Sequence, residues 1–430
     1  MEYVDGIRLR EFQQVRQEIR GSGQYLIVGI DVAKERHNAF FGTATGKTLH
    51  KGLVFDNTID GFQKLLTVTE ALKVQHDLAN VVFGLEATAN YHKPLGEHLI
   101  KCGHLLVLVS ASAVKNNRPL LDGRWDKHDT KDAANVADLI SQGKCLYYEY
   151  PDQDIRDLRN LLSLKRRLKK EEHGLRVRIR NQLLAQYFPE MDLHFGTAVS
   201  LAVVRYCLDP AAIAGMEFDE FRRNVAPGKL TLAQQKRLQT IWRMAPESIG
   251  CSVGGAVPFE AQVMVTGLHR SKENIKAIED KIEELCVKFP EYSCLLSIPG
   301  FGPDVSSKVL AAISCPFRFS SVKQVLKMAG FDLCANRSGK TSYSATPVIS
   351  KQGKADLRYA LYQAALIASL SNRNFMTYYT SKLRGRQREK GIGTKMRVKL
   401  AAKLLVIAWT LMKKKEQFDP KYLNQGDIQV

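Results

Sequence analysis

The segment YLIVGIDVAK, residues 25–34, determines how the N-terminal part of the chain folds. Its first six residues are apolar or glycine and include three β-branched side chains, which predicts a buried strand that ends at Asp31. Two more strands are expected at residues 38–42 and 49–55, with a turn at Thr45-Gly46 between them. The chain therefore begins its folded part with a three-stranded meander.

Helices and strands alternate after this meander. A helix capped by Asn57 or Thr58 leads to a buried strand at residues 81–85, which ends at Glu86. The next expected elements are a helix at 94–101, a strand at 105–109 and a helix at 129–140. The order β-β-β-α-β-α-β-α is that of a ribonuclease-H-like or RuvC-like α/β domain.

The remaining chain reads as helical. Leucine and isoleucine recur at helical spacing in residues 154–185 and again in 264–289, which predicts two long helices that pair as a coiled-coil arm. Shorter helices are expected at 197–207 and 232–244, and no chemistry is assigned to residues 187–262. We predict four segments, namely an arm (1–22), the α/β domain (23–150), a helical coiled-coil middle with an insertion (151–290) and a mostly α-helical basic module (291–430).

Positive charge is concentrated near the C-terminus. The chain of 430 residues has a formal net charge of +19, and residues 335–415 contain eighteen Lys or Arg but two acids. Because few acids are interleaved to pair with them, these cations indicate a polyanionic partner. The candidate nucleic-acid-binding residues are Arg337, Lys340, Lys351, Arg358, Arg384, Arg386, Arg388, Lys395 and Arg397. Tyr378 and Tyr379 precede the densest run and suit base stacking.

Several classes of protein are excluded by composition. No apolar run approaches the ~20 residues of a membrane span. The eight cysteines are scattered without a CxxC pair, which is typical of reduced thiols rather than of a zinc site or a disulfide framework. The N-terminus contains acids and lacks the apolar core of a secretory signal. We therefore expect a cytoplasmic location.

Four acids are candidates for a metal site. Asp31 and Glu86 end strands that are neighbours in a ribonuclease-H-like sheet, and Asp129 and Asp132 share one face of a helix start. Gathered carboxylates repel unless cations lie among them, and hard oxygen ligands suit Mg²⁺ in phosphoryl transfer. The alternative is that each acid is an ordinary strand-end or helix-capping residue. Asp126 is a competing member of the cluster.

Three motifs carry a family resemblance. The segments IVGIDVAK (27–34), FGLEATANY (83–91) and HDTKDAANVADLI (128–140) resemble the DEDD transposases of the insertion sequence 110 family and the related DNA invertases. Nearer the C-terminus, IPGFGP, MAGFDLCANRSGK and ISKQGKADLRYALYQAA are similar to that family's C-terminal transposase domain. The two matches cover residues from about 24 to 150 and from about 290 to 410.

The resemblance implies a site and partners. It implies that Asp31, Glu86, Asp129 and Asp132 form a DEDD tetrad that binds Mg²⁺, and that Ser338 in NRSGK is a catalytic serine which forms a 5′-phosphoserine link. It also implies a bridge RNA that pairs with donor and target DNA in the bacterial cytoplasm. Since recombination joins two duplexes, we expect a homodimer, formed partly by the long helices, that pairs into a tetramer on DNA.

Alternatives remain open at this point. The family's Gly-Leu-x-Pro reads Gly330-Phe-Asp-Leu-Cys334 here, so Ser342, Ser344 and Ser350 compete with Ser338 as nucleophile. The chain is otherwise a metal-dependent nuclease of branched DNA that uses water, or a non-catalytic nucleic-acid-binding protein. An actin-like ATPase is disfavoured because no second Gly-rich phosphate loop is present. The segment IPGFGPDVSSKVLAAI, which starts at Ile298, also fits a helix-hairpin-helix that holds a phosphate.

Overall fold

The protein consists of two compact units. The computed structural model describes residues 4–20, 22–122, 129–335 and 347–424. One unit contains residues 1–153 together with the segment 314–324, and the other contains residues 154–313 and 325–430. None of the described helices is long and apolar enough to cross a membrane.

The first unit is built on a mixed sheet. Its strands are β1 (Tyr25–Asp31), β2 (Arg36–Thr43), β3 (Thr48–Asp56), β4 (Asn80–Glu86), β5 (Leu105–Val109) and β6 (Leu146–Tyr147). Its helices are α1 (Val4–Glu18), α2 (Ile59–Gln75), α3 (His92–Lys101), α4 (Ala111–Asp122) and α5 (Asp129–Ser141). The strand order across the described sheet is β3-β2-β1-β4-β5-β6.

The topology confirms the predicted ribonuclease-H-like fold. Strands β1, β2 and β3 pair antiparallel as a meander, whereas β1 pairs parallel with β4 and β4 pairs parallel with β5. The antiparallel pairs need short turns, and each parallel pair needs a helical crossover, which α2 and α3 supply. The strands end within one or two residues of the positions predicted from the apolar runs.

Alternating side chains of the central strands enter two separate cores. Leu26, Val28 and Ile30 of β1 pack with residues of α2 and α3 on one face of the sheet. Ile27 packs on the opposite face, in a cluster that includes Ile140 of α5. The period of two along a strand thus assigns each residue of β1 to one face or the other.

Most of the predicted N-terminal arm forms a helix. Residues Val4–Glu18 form helix α1, and Phe12, Val15 and Ile19 are buried in the same core as Ile27. The three side chains follow at helical spacing, so they lie on one face of the helix and its continuation. Segment 1–22 is therefore part of the first unit through its described residues.

Helix α5 lies directly on the sheet because two strand residues have no side chain. A Cβ atom at Gly29 would lie 2.3 Å from the carbonyl oxygen of Ala133 and 2.5 Å from the amide nitrogen of Ala137. Gly84, which pairs with Gly29 on the neighbouring strand, contacts Ile140 of the same helix. Helix α5 therefore crosses β1 and β4 at this row of the sheet, with its backbone against β1.

The second unit is mostly helical. Its N-terminal part comprises α6 (Gln153–Arg178), a π-helical stretch (Ile179–Leu184), α7 (Ala185–Tyr187), α8 (Ala198–Tyr206), α9 (Pro210–Ala214), α10 (Phe218–Val225), α11 (Leu232–Met244) and α12 (Val257–Cys286). Its C-terminal part comprises α13 (Pro290–Leu296), α14 (Pro303–Ile313), α15 (Val322–Ala329), β7 (Leu333–Cys334), β8 (Val348–Ile349), α16 (Ala355–Ser371), α17 (Arg373–Leu383), α18 (Ile392–Lys414) and α19 (Lys421–Asn424). The first three residues of α15, 322–324, are grouped with the first unit.

Helices α6 and α12 form an antiparallel pair. Lys165 of α6 binds Glu279 of α12 at 2.9 Å, and a Cβ at Gly267 of α12 would contact Leu175 of α6 at 3.4 Å. The contact moves toward the C-terminus of α6 as it moves toward the N-terminus of α12, which defines opposite directions. The two long helices predicted from their apolar stripes are thus present and adjacent.

The insertion between these helices has its own core. Phe188, Phe221 and Ile241 are buried there together with Leu268 of α12.

The structure also groups residues differently from the four predicted segments, because the helical middle and most of the basic module belong to one unit. Segment 314–324 belongs to the first unit, where Arg318 pairs with Glu149 at 2.7 Å.

We predict that Gly29→Ala destabilises the first unit. The added methyl group would overlap the backbone of α5 at Ala133, and the helix cannot yield as a flexible side chain does. Overpacking of this kind costs about 1–3 kcal/mol, which a fall in the urea midpoint would report. Gly23→Ala is the matched control, because nothing lies within 4 Å of a Cβ at that position. Equal midpoints for the two variants would contradict the close approach.

Candidate active site

Asp31 and Glu86 lie side by side at the ends of two parallel strands. Ile30 of β1 pairs with Leu85 of β4, so the next residue on each strand is an acid. Adjacent strands are about 4.8 Å apart, which brings the two Cα atoms close together. Both side chains are half-buried. The register therefore brings together two carboxylates that are far apart in sequence.

Both strand-end acids face helix α5. Gly29 and Gly84 contact α5, and Asp31 and Glu86 follow each of them by two residues. Because residues two apart on a strand point to the same side, the two carboxylates lie on the α5 side of the sheet. Helix α5 thus contacts the sheet at Gly29 and Gly84, two residues before each acid.

Helix α5 contributes Asp132 to this region. Asp132 directly precedes Ala133, whose carbonyl oxygen lies against Gly29. Its side chain is buried, with 4% of its surface exposed, and its Oδ1 accepts a hydrogen bond of 2.8 Å from Nε of Arg118 on α4. A buried carboxylate is stable only when it is paired or hydrogen-bonded, and Arg118 provides both interactions.

Asp129 differs from Asp132 in its surroundings. The two acids are three residues apart in the first turn of α5, as predicted, but Asp129 is exposed to solvent. The competing acid Asp126 lies outside the described residues. Of the four predicted tetrad members, Asp31 and Glu86 are therefore half-buried at strand ends, Asp132 is buried on α5, and Asp129 is exposed.

The carboxylates suit a hard divalent cation in their chemistry but are not gathered around one point. Within the described ranges, no group of three or more His, Cys, Asp or Glu side chains has a geometry that could hold a metal ion. The cationic partner that the structure gives Asp132 is Arg118. The donor set on this face therefore fits a metal, while its present arrangement is that of an internal ion pair.

His37 fixes the loop that follows Asp31. Its imidazole is fully buried, and Nδ1 accepts a hydrogen bond of 3.2 Å from the backbone N–H of Ala33. Burial lowers the pKa of His37, which favours the neutral ring that this acceptor role requires. The packing of the ring between Phe55 and Phe62 holds it in place. His37 is a site-supporting residue that the sequence patterns did not identify.

The predicted serine lies outside the described residues. Ser338, with Arg337 and Lys340, falls in residues 336–346, as do the alternatives Ser342 and Ser344. The flanking strands β7 and β8 pair antiparallel, with Cys334 opposite Val348. The structure therefore describes the two strands that flank this segment, and we call these strands and the residues next to them the loop base.

Ser350, the remaining alternative, has a structural role at the base of the loop. Its hydroxyl donates a hydrogen bond of 2.5 Å to Oδ1 of Asp332, and its backbone N–H donates to the carbonyl of the same residue at 2.7 Å. The hydroxyl oxygen also accepts from the N–H of Gln352. These bonds join the two sides of the loop base and leave Ser350 poorly suited to act as a nucleophile.

Two of the predicted nucleic-acid-binding residues form hydrogen bonds to the backbone near β7. Nη1 of Arg358 donates to the carbonyl of Ala329 at 2.9 Å, next to Gly330, which has a positive φ of 71°. The N–H of Lys351 donates to the carbonyl of Gly330, and the Lys351 side chain is exposed. Arg358 thus fixes the backbone at the start of the loop, whereas the amine of Lys351 faces solvent.

The hairpin of α17 and α18 exposes most of the predicted cationic surface. Arg384, Arg388 and Lys395 are exposed, and Arg386 forms a bidentate pair with Glu389 at 2.8 Å. Arg397 lies over the ring of Tyr379, with 5.2 Å from its Cζ to the ring centroid. A second such pair, at 5.4 Å, joins Lys382 and Tyr378. Cations and aromatic rings are therefore interleaved, an arrangement typical of surfaces that bind single-stranded nucleic acids.

The segment predicted to be a helix-hairpin-helix forms two helices, α13 and α14, joined by a turn, and an acid lies in the second helix. Gly300 has φ of 88°, and a Cβ there would lie 2.4 Å from the carbonyl oxygen of Ala364 on α16. Asp304, in the first turn of α14, binds Lys165 at 2.7 Å and Lys308 at 2.6 Å. The hydrogen bonds from these lysines hold the pKa of Asp304 at about 2 against the opposing effect of burial.

Comparison with known protein families places these features in context. Residues 28–189 match a family model described as a transposase and named for the DEDD domain of the IS110 type. Residues 292–380 match a second model, described as a transposase of the IS116/IS110/IS902 family. No curated protein matches the chain. The two matched ranges contain the strand-end acids and the loop base, and together they span more than half of the chain.

We predict that Asp304→Asn lowers stability in a pH-dependent manner. The folded-state pKa is depressed, so the ionised form contributes stability above the unfolded pKa of ~3.9, and that contribution is lost as pH falls toward about 2. The variant should unfold at lower urea than the parent at pH 7, because buried Lys165 loses a partner, and the gap should close at low pH. Asp280→Asn, in an exposed pair with Lys276, is the control. A gap that persists at low pH would contradict the assignment.

Proposed function

Because the chain belongs to the IS110 family of transposases, enzymes that cleave and transfer DNA, we propose that it cuts and rejoins DNA strands through a phosphoserine intermediate. The proposed nucleophile is Ser338, and the proposed metal ligands are Asp31, Glu86, Asp129 and Asp132. The observation that carries the proposal is the register of β1 and β4, which puts two acids next to each other on the face that α5 crosses.

The proposed metal is Mg²⁺. The family implies a divalent ion, and all four candidate ligands are carboxylates, the donors that Mg²⁺ prefers. When bound, the ion supplies Lewis-acid stabilisation of the charge on the phosphoryl oxygens. In this proposal Asp31 and Glu86 hold it from the strand ends, and Asp132 holds it from α5. The exposed Asp129 joins them from the first turn of the same helix.

The proposed reaction conserves the phosphodiester bond energy. The Oγ of Ser338 attacks the phosphorus, an Oγ–P bond forms, and the P–O3′ bond breaks. The serine proton is transferred overall to the leaving oxygen, which becomes a free 3′-hydroxyl, while the 5′-phosphate stays on serine. Attack by the 3′-hydroxyl of another strand then reverses the bond changes and releases the serine. Arg337 and Lys340 flank the serine in sequence and would neutralise charge on the phosphate.

The proposed partners are double-stranded DNA, as donor and target, and a bridge RNA. DNA binding follows from the family, and the concentration of +16 in residues 335–415 supports a second polyanion. The exposed Arg384, Arg388 and Lys395 would contact phosphates, which makes the affinity steeply salt-dependent. We propose a homodimer that pairs into a tetramer on DNA in the bacterial cytoplasm, so that two duplexes are held together.

We predict that Ser338→Ala abolishes the covalent protein–DNA adduct. The variant would be incubated with DNA that contains the element ends, with the RNA transcribed from its flank, and with Mg²⁺. Adducts would be trapped under denaturing conditions and mapped by mass spectrometry. Wild type, Ser342→Ala and Ser344→Ala should give a serine-linked 5′-phosphate, whereas Ser338→Ala should give none.

Other outcomes would select the alternative functions. Full cleavage by Ser338→Ala would indicate a nuclease that uses water. An adduct lost in Ser344→Ala but kept in Ser338→Ala would move the nucleophile to the neighbouring serine. Binding of DNA and RNA that is unaffected by EDTA, with neither cleavage nor strand exchange in Mg²⁺, would indicate a non-catalytic binding protein.

A further inference from the structure

Asp132 is bound to a cation supplied by the chain itself. Its carboxylate is 5% exposed and lies 2.8 Å from Nε of Arg118, whose side chain is 20% exposed. Removing water from a carboxylate is costly, and a paired guanidinium at hydrogen-bond distance offsets that cost. Arg118 therefore provides at Asp132 the positive charge that a metal would otherwise provide.

A set of polar contacts holds α4 on α5 independently of this ion pair. Nδ2 of Asn117, the residue before Arg118, donates to Oδ1 of Asn135 at 2.8 Å and to Oδ2 of Asp138 at 2.7 Å. Asn135 in turn donates to the carbonyl of Val114 on α4, at 2.7 Å. Because Asn117 and Asn135 are buried, these bonds are shielded from water and fix the register of the two helices.

The register determines where the guanidinium lies. The acceptors on α5 are Asp132, Asn135 and Asp138, three residues apart along one side of the helix. Their donors are the consecutive residues Asn117 and Arg118 on α4. Arg118 is therefore presented to Asp132 by a fixed helix pair rather than by a mobile side chain on an open surface.

We propose that Arg118 is an internal counter-cation that competes with the divalent metal for Asp132. The proposal rests on the metal site put forward under the proposed function, and it makes Arg118 a positioning residue, since it acts through Asp132. Two positive groups close to one carboxylate repel each other, so metal occupancy requires the guanidinium to give up Oδ1. In the metal-free protein the same pair stabilises the buried carboxylate.

The competition explains the arrangement of the acids. Asp31 and Glu86 are adjacent by strand register, yet the described acids do not form a metal-binding group with Asp132. In this proposal the ion pair with Arg118 keeps Asp132 from joining the two strand-end acids. Displacement of Arg118 would then be the step that frees Asp132 to join the other two carboxylates.

The test is metal binding by Arg118→Gln in the absence of nucleic acid. Full-length wild type and variant would be titrated with Mn²⁺, with free Mn²⁺ measured by electron paramagnetic resonance, and Mg²⁺ would be added as a competitor. Loss of a unit charge beside a divalent ion should tighten Mn²⁺ binding about tenfold. Arg118→Lys, which keeps the charge, should bind as wild type does.

Two further variants separate the ion pair from general effects. Lys101→Gln removes a cation of an exposed pair with Glu97 on α3, which packs on the opposite face of the sheet, and should leave Mn²⁺ binding unchanged. In an Asp132→Asn background, Arg118→Gln should no longer tighten binding, because the competed ligand is absent. Thermal melting without metal should show Arg118→Gln less stable than wild type, and Mn²⁺ should raise its melting temperature more.

Three results would overturn the proposal. Equal or weaker Mn²⁺ binding by a folded Arg118→Gln would show that Arg118 does not compete for Asp132. The same gain in Lys101→Gln would show a general effect of net charge. Absence of binding by both wild type and Arg118→Gln would overturn the metal site itself and the role of Arg118 with it, which distinguishes failure of the proposed function from failure of this inference alone.

Discussion

The close approach of helix α5 to strand β1 is the constraint on which the first unit depends. Gly29 admits the backbone of Ala133, and a single methyl group there would lie 2.3 Å from a carbonyl oxygen. Because Asp132 is the residue before Ala133, this contact also holds the backbone of Asp132 close to the sheet. Asp31 lies two residues beyond Gly29 on the same side of β1. The contact at Gly29 therefore fixes the position of the helix that carries Asp132 relative to the strand that carries Asp31.

The packing of α4 on α5 determines where the side chain of Arg118 lies. Helix α4 is fixed to α5 through Asn117 and Asn135, so its arginine lies against the one tetrad member that is buried. In the second unit, Lys165 and Asp304 form a comparable ion pair. Each of these two residues also has a second charged partner, which is Glu279 for Lys165 and Lys308 for Asp304. The two pairs differ in consequence, because Asp132 is a candidate metal ligand, whereas Asp304 joins α14 to α6 through Lys165.

Much of the fold was predictable because it depends on local patterns. The apolar runs before Asp31 and Glu86 gave the strands and the acids that end them, and the leucine stripes gave helices α6 and α12. The spacing of Asp129 and Asp132 placed both in one helix turn but did not reveal that Asp132 is buried and Asp129 exposed. Burial depends on what packs against the helix, which spacing alone does not specify.

Contacts between distant residues were not predictable in this way. Arg118, in NNRPLLD, has no periodic signal that links it to Asp132, and helix α4 was not expected at all. Residues 4–18 are mostly polar, and for this reason the helix that they form and its buried face were not predicted. Arg358, a predicted nucleic-acid-binding residue, donates to the backbone carbonyl of Ala329, a contact that its sequence position did not indicate. In each case the partner is set by tertiary packing.

We propose that Asp31, Glu86 and Asp132 hold one metal ion on the α5 face of the sheet, with the exposed Asp129 as the fourth ligand. Anomalous scattering from crystals soaked in Mn²⁺ tests it most directly, because it locates the ion without reference to activity. We predict an anomalous peak in contact with carboxylate oxygens of Asp31 and Glu86, with Asp132 turned toward it and away from Arg118. A peak bound elsewhere, with these three acids unmoved, would contradict the account.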